Sequence, residues 1–304
     1  MKKKILILGG GISKERQISL ETAKQVKKIL KKKYRVLQSD LDMNFEKKLR
    51  LFKPEIVFNA LHGRFGEDGY VQTILEYNKI KYTHSGVLSS ALAMDKIVSK
   101  KIFNKNNLLT PKFIKFNNNI EVNSNLKNKI RKKLKFPVVV KPINEGSSVG
   151  VYISSQKNLK KNLLKLRKYK EVILEEFIDG REIQVAILGV KKLGAIELKP
   201  KRKFYDYKAK YDIKSKTEHI IPANLTKKNL DKVLNIALKA HKILKCKGVT
   251  RSDFKFFRNK FYLLELNTQP GMTKLSLVPE IAAYKGMNFL KLLEWILKDA
   301  STNR

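Results

Sequence analysis

From the first residues onward, short apolar runs alternate with amphipathic helical patterns, and that alternation confines the chain to α/β folding. KILILGG (residues 4–10) reads as a strand entering a glycine turn. ISLETAKQVKKILKK then follows with helical spacing at Leu20, Ala23, Val26, Ile29 and Leu30. YRVLQSD, EIVFNAL and KYTHSG predict further strands of the same unit, which ends near residue 84. A second unit, residues 85–176, opens with a helix over SSALAMDKIVSKKIFNKNN, closed by Asn106 and Asn107, and carries the strands FPVVVKP, SVGVYIS and EVILEEF. Within it, the Lys- and Asn-rich stretch 112–135 reads as a linker or, at its IRKKLKF end, a short helix. The third unit, 177–304, holds REIQVAILGV, KLGAIELKP, the helix LDKVLNIALKAHKILK, a strand pair at 249–267 and a terminal helical region. At 304 residues the chain is long enough for such a division.

The strand pair poses a chemical problem. FYLLELN places Glu265 and Asn267 in an apolar strand, where an unpartnered carboxylate would sooner take up a proton. Its partner strand, VTRSDFKFF, carries Arg251 and Asp253 on one face. A two-residue connection puts Asp253 opposite Leu264 and separates the acids. A three-residue connection over Arg258, Asn259 and Lys260 puts Asp253 opposite Glu265 and Arg251 opposite Asn267. An odd loop is therefore expected. Two facing carboxylates and a carboxamide oxygen would form a hard-oxygen site suited to Mg²⁺; the same residues also read as a salt-bridged pair around Arg251.

A phosphate site tips that balance. FPVVVKPINEGSSVGV sets Lys141 at the end of a buried strand, followed by a loop with Gly146, Ser147, Ser148 and Gly150. Such a loop offers N–H groups, hydroxyls and one fixed positive charge to phosphate oxygens, though taken alone a Gly/Ser loop is more often a plain turn. It is no Walker A motif, and GGGISKERQ lacks the third glycine of the dinucleotide fingerprint. LEEFIDGREIQVAILG brings carboxylates, an aromatic and strand edges to one turn, a crevice suited to an adenine and a ribose, though an acidic hairpin reads the same way in isolation.

Charge admits a different class of function. Lys and Arg number 66 against 27 Asp and Glu, a net charge of +39. Clustered cations would point to nucleic acid or an anionic membrane. These lysines are spread from end to end and no nucleic-acid motif accompanies them, so a solvated basic surface is the reading adopted, with no nucleic-acid or membrane partner. The start, MKKKILILGG, imitates a signal peptide, but its apolar run stops at Leu8, short of the ~7–15 residues of an h-region. No run nears the ~20 apolar residues of a membrane span. With one cysteine the chain suits a reducing compartment, and a cytoplasmic location is expected.

In order along the chain stand GGGISKERQISL, ALHGRFGEDGYVQ, SGVLSSALAMDK, VVVKPINEGSSVGV, EEFIDGREIQVAILG, FYDYKAKY, RSDF and LLELNTQPGMTKLSLVP. With these runs the sequence resembles the ATP-grasp superfamily and, within it, the D-alanine–D-alanine ligases, over nearly its whole length. HGRFGEDG and YDYKAKY are substrate-side elements specific to the ligases. Phe65 stands where the family usually has glycine, and Gln269 where serine is common.

The resemblance implies an α/β (α+β) ATP-grasp fold of three domains. They are a Rossmann-like substrate domain (1–84), a central ATP-grasp subdomain (85–176) and a C-terminal subdomain with metal and substrate sites (177–304), with ATP between the last two. It further implies that Lys96 and Lys141 contact ATP phosphates, that Glu175, Phe177 and Ile178 line the adenine pocket, partly by backbone, and that Glu182 holds the ribose. Phe204 would pack on the base, and Lys210 would offset phosphoryl charge. Asp253, Glu265 and Asn267 would hold two Mg²⁺ (or Mn²⁺). Glu15 would bind the ammonium of a first D-alanine, with Ser147 and Tyr211 fixing Glu15 and the loop above. Arg251 and the Gly271 amide would form the oxyanion site, and Ser276 and Leu277 would meet a second D-alanine. His62 is placed on the substrate side without a defined role. A lid is expected over KRKFYDYKAKYDIKSKTEH, and a homodimer is the usual assembly of relatives. Ligases of D-alanine with D-lactate or D-serine, and a basic nucleic-acid-binding protein on the same scaffold, are the alternatives.

Overall fold

A computed structural model describes residues 2–119, 121–200, 217–273 and 276–304. Strand β1 (Lys4–Leu8) pairs in parallel with β2 (Arg35–Ser39) and β3 (Ile56–Asn59), and β3 in parallel with β4 (Lys81–Tyr82), in the order β2-β1-β3-β4. Ile5, Leu6, Ile7 and Leu8 are all fully buried, as a strand covered on both faces must be. Leu6 and Leu8 pack with Phe45 and Leu49 of helix α2 (Phe45–Phe52) and with Val71 and Leu75 of helix α3 (Tyr70–Tyr77). Ile5 and Ile7 pack with Ala23, Val26 and Leu30 of helix α1 (Arg16–Leu30). That second core does not stop at the first sheet, because it runs on into residues beyond 185, including Leu188, Ile281, Leu292 and Ile296.

The predicted helix over 89–107 is two helices, α4 (Val87–Met94) and α5 (Lys96–Lys105). Asp95 between them is extended (φ −81°, ψ 104°), and its carboxylate accepts hydrogen bonds from the N–H groups of Ile97 and Val98. An aspartate offers this capping alternative to continued helix, which apolar spacing alone does not reveal. The stretch read as a linker begins with strand β5 (Phe113–Asn117), where Ile114 and Phe116 alternate inward, and continues as helix α6 (Ser124–Lys133), capped by Asn123. Strands β6 (Val138–Pro142), β7 (Tyr152–Ser154) and β8 (Glu171–Glu176), with helix α7 (Leu159–Lys165), complete an antiparallel sheet ordered β5-β8-β6-β7.

The third sheet is antiparallel, ordered β11-β10-β9-β12-β13, from β9 (Arg181–Leu188), β10 (Lys191–Lys199), β11 (Glu218–Ile220), β12 (Val249–Phe257) and β13 (Lys260–Asn267). One face carries helix α8 (Lys227–Ile243) and also Ala93 and Phe103 from α4 and α5. The other carries α9 (Leu277–Tyr284) and α10 (Phe289–Asp299).

The β12–β13 hairpin corrects one expectation and keeps its consequence. Phe257 pairs with Lys260, so the connection is the two-residue turn Arg258–Asn259, with both residues left-handed (φ 46° and 59°). The register then shifts between Asp253 and Phe254: Phe254 faces Leu263, whereas Asp253 faces Glu265 and Arg251 faces Asn267. Leu264 is the extra residue of a β-bulge, which brings the polar side chains together where the loop was expected to. Asn tolerates the left-handed region and a β-branched residue does not. Asn259→Val should therefore lower stability by about 1–2 kcal/mol in urea denaturation.

Candidate active site

At the bulge, Arg251 spans Asp253 with two hydrogen bonds, Nε to Oδ1 at 2.7 Å and NH2 to Oδ2 at 2.9 Å. Both side chains are largely buried. Glu265 lies 3.4 Å from Lys96 Nζ, which also donates to the carbonyl of Glu145 at 2.6 Å. The Asn267 amide oxygen accepts the Gln269 N–H at 2.7 Å. No group of three or more His, Cys, Asp and Glu suited to a metal occurs among the described residues, so a cation here has two carboxylates and one amide oxygen to use. That donor set fits Mg²⁺, which takes few protein oxygens and leaves positions for phosphate and water. An ionised carboxylate offers about four lone-pair directions, so Asp253 keeps acceptor capacity beyond its two bonds to Arg251.

Behind these groups lies a buried charge cluster. Lys141 at the end of β6 reaches Glu175 Oε2 at 2.9 Å, and Lys100 on α5 reaches Oε1 at 3.1 Å. Burial works against the charge of Lys141, yet Glu175, Glu265 and Asp253 outweigh it and hold its pKa above the ordinary lysine value. Glu175 is likewise buried, and Lys100 and Lys141 overcome that burial to keep it ionised. Its carboxylate is thus taken by two lysines, leaving its backbone for the cleft. Glu182 on β9 stands opposite Lys255 on β12, whose Nζ lies 3.2 Å from Glu182 Oε2. Phe177 and Ile178, in the turn from β8 to β9, line this cleft together with Lys141 and Glu182.

A cavity of about 500 Å³ adjoins the cleft and is lined by Glu15, His62, Ser147, Arg251, Gly271, Ser276 and Leu277. Lys96, Glu145 and Glu265 line both spaces. Ser147 Oγ donates a short hydrogen bond to Glu15, joining the glycine–serine loop to the N-terminal unit. Ser276, just before α9, accepts the N–H of Thr273 at 3.0 Å. His62 is enclosed, with Nε2 3.2 Å from Thr22 Oγ1 and Nδ1 3.5 Å from Glu67. The structure brings together every expected site residue it describes; Phe204, Lys210, Tyr211 and most of the expected lid lie outside the described residues.

Four contributors escaped the sequence reading. Lys100 is four residues after Lys96 and so shares its helix face, a signal that was available. Lys255 alternates with Asp253 along β12, also a readable signal. His219 lines the cavity and pairs with Glu280 of α9 at 2.8 Å, across 61 residues of sequence. Gln269, noted only as a departure from serine, donates to the Asn59 carbonyl and accepts from the Asn59 amide, tying the turn after β13 to the end of β3.

The sequence model described as D-ala D-ala ligase C-terminus matches residues 102–298. The D-alanine–D-alanine ligase of Pelagibacter ubique (strain HTCC1062) is 66% identical over 305 residues, covering 100% of both chains. That of Wolbachia pipientis wMel is 46% identical, covering 97% of this chain and 94% of the relative. Among solved structures, the D-alanine–D-alanine ligase of Bacillus anthracis complexed with ATP superposes with a TM-score of 0.85 at 31% identity. It covers 98% of this chain and 97% of that one.

Proposed function

The chain belongs to the D-alanine–D-alanine ligase family, and from that premise we propose how its own residues carry out the reaction. The enzyme is an ATP-dependent ligase of the ATP-grasp fold that joins two D-alanines into the dipeptide used for peptidoglycan. The observation that carries the assignment of roles is the shared wall: Lys96 and Glu265 border both the cleft and the cavity. A carboxylate in the cavity and a terminal phosphate in the cleft can therefore meet beside them.

Glu15, oriented by Ser147, holds the ammonium of the first D-alanine. Its carboxylate oxygen attacks the γ-phosphorus of ATP, the bond to the β,γ-bridging oxygen breaks, and ADP leaves with that oxygen's electron pair. Lys96 and Lys141 face the phosphates from below, with the glycine–serine loop as their cover. Asp253, Glu265 and Asn267 would hold the Mg²⁺ ions, which when bound neutralise phosphate charge. The second D-alanine, placed by Ser276 and Leu277, attacks the acyl carbon of D-alanyl phosphate through its free amine. Arg251 and the Gly271 N–H receive the negative charge that develops on the acyl oxygen. That attack forms the C–N bond; collapse then re-forms the carbonyl and breaks the acyl C–O bond, and the departing phosphate takes the electron pair and the proton that the nitrogen loses.

Water must be kept out, since D-alanyl phosphate hydrolyses. On the resemblance, Lys210, Tyr211 and Phe204 belong to the cover over this site, and the three-domain division at 84 and 176 is its framework. We further propose a cytoplasmic location, where ATP is supplied, and a homodimer, to be measured by light scattering. No helix among the described residues is long and apolar enough to cross a membrane.

The test is D-alanine-stimulated phosphate release from Mg-ATP with the dipeptide detected by mass; ATP turnover indifferent to D-alanine would refute the roles given. One variant probes the first subsite alone. A Cβ added at Gly146 would lie 2.7 Å from the Glu15 carboxylate. Gly146→Ala should displace that carboxylate and raise the KM for D-alanine about tenfold, the scale of one charge-assisted hydrogen bond, in steady-state kinetics.

A further inference from the structure

Lys100 has no part in the mechanism above, yet its side chain is fully buried at the back of the nucleotide cleft. Asp95 restarts the helix so that Lys96 and Lys100, one turn apart, point to the same side. Lys96 touches the cavity wall; Lys100, a turn deeper, can reach neither solvent nor a ligand. Its ion-pair partner among the described residues is Glu175. Val139 of β6 stands opposite Glu175 of β8, and Lys141 is two residues further along β6, so the Lys141 and Glu175 side chains share one face of the sheet. Each carboxylate oxygen faces a different lysine, Oε1 in an ion pair with Lys100 at 3.1 Å and Oε2 with Lys141 at 2.9 Å.

Lys141 already gives that buried carboxylate one counter-ion, at 2.9 Å. A second buried ammonium is costly here: burial pulls the Lys100 pKa down to about 8, against the attraction of Glu175 and with the repulsion of Lys141. The charge count says what that cost achieves. Lys141 with Glu175 alone sums to zero, whereas Lys100, Glu175 and Lys141 sum to one positive charge. Geometry acts the same way. If the carboxylate turned both oxygens onto Lys141, the buried Lys100 ammonium would lose its ion pair, which disfavours that turn. An ammonium has three N–H donors, so those not given to Oε2 stay free for another acceptor.

We propose that Lys100 is a positioning residue that stops Glu175 from neutralising Lys141, so that Lys141 presents a net positive charge and unspent donors to the ATP phosphates. This rests on the reading of Lys141 as a phosphate contact.

The experiment is calorimetric titration of the full chain with Mg-ATP in the absence of D-alanine, on wild type, Lys141→Met, Lys100→Met, Glu175→Gln and the Lys100→Met/Glu175→Gln double variant. Thermal melting of each variant checks that it is folded. Lys100→Met should weaken Mg-ATP about tenfold, the range of coupled charges in contact. The double variant, with no carboxylate left to neutralise Lys141, should bind within about threefold of wild type, and the KM for D-alanine should not move. A merely structural lysine predicts the opposite, with losses that add in the double variant or a KM for D-alanine that rises alongside. Either of those, or unchanged binding by Lys100→Met, overturns the proposal. Should Lys100→Met not fold, the comparison of Glu175→Gln with the double variant keeps the test, since loss of Lys100 should then change Mg-ATP affinity less than about threefold and a tenfold change refutes it. If Lys141→Met binds Mg-ATP as wild type does, the phosphate role of Lys141 is what fails.

Discussion

Glu265→Gln should reduce D-alanine-dependent phosphate release by on the order of a thousandfold while the melting temperature stays within a few degrees of wild type. The substitution keeps the shape of the side chain and removes one negative charge. Glu265 is only partly buried, and its ion pair with Lys96 is long at 3.4 Å, so its replacement by an isosteric amide leaves the fold intact. On the metal site proposed above the reaction loses much, because a carboxamide is a poor ligand where Asp253 and Asn267 would supply the remaining oxygens, and metal-borne charge stabilisation is worth several kcal/mol in phosphoryl transfer. Excess Mg²⁺ or Mn²⁺ should recover part of the rate by mass action. Retention of more than about a tenth of the wild-type rate would mean that Glu265 serves as the partner of Lys96 and not as a metal ligand.

Arg251→Met should fail on two counts, and the two can be measured apart. Asp253 is almost wholly buried and both its oxygens are held by Arg251. Removing the guanidinium strands that carboxylate, which costs about 3–5 kcal/mol of stability by denaturant titration. Turnover of folded protein should drop a further hundred- to thousandfold, on the scale of one lost oxyanion donor. Arg251→Lys separates these effects, because it keeps the charge but not the two-pronged geometry. Stability should return in part and turnover should not. Equal recovery of both would remove Arg251 from the oxyanion site and leave it the counter-ion of Asp253.

Much of this molecule was legible in its sequence because its chemistry-bearing residues sit at strand ends and turns, where alternation and glycine spacing are informative. The pairing of Asp253 with Glu265 was readable from the polar interruption of an apolar strand, but its cause was not. A β-bulge leaves no mark that a longer loop would not leave equally, so parity was assigned to the turn when it belongs to Leu264. The break at Asp95 was hidden because apolar spacing runs through it, and only the capping bonds reveal the new helix. Strand β5 was obscured by the surrounding lysines and asparagines, although Ile114 and Phe116 already alternate. Gln269 and His219 lay beyond reach, because their partners, Asn59 and Glu280, are 210 and 61 residues away.

The core shared by the first sheet and the last helices has a consequence for how the protein is made. Ile5 and Ile7 share a core with Leu292 and Ile296, so strand β1 completes its packing only once the helix that begins at Phe289 has been made. At roughly 5–20 residues per second, that wait lasts on the order of 15–60 s. Ile56 and Phe58 of β3 join that core early, but its part that meets Leu292 and Ile296 stays uncovered throughout. A nascent chain halted before residue 289 would therefore carry a sticky, half-finished N-terminal layer, and chaperone capture during synthesis should be strongest for such arrested lengths.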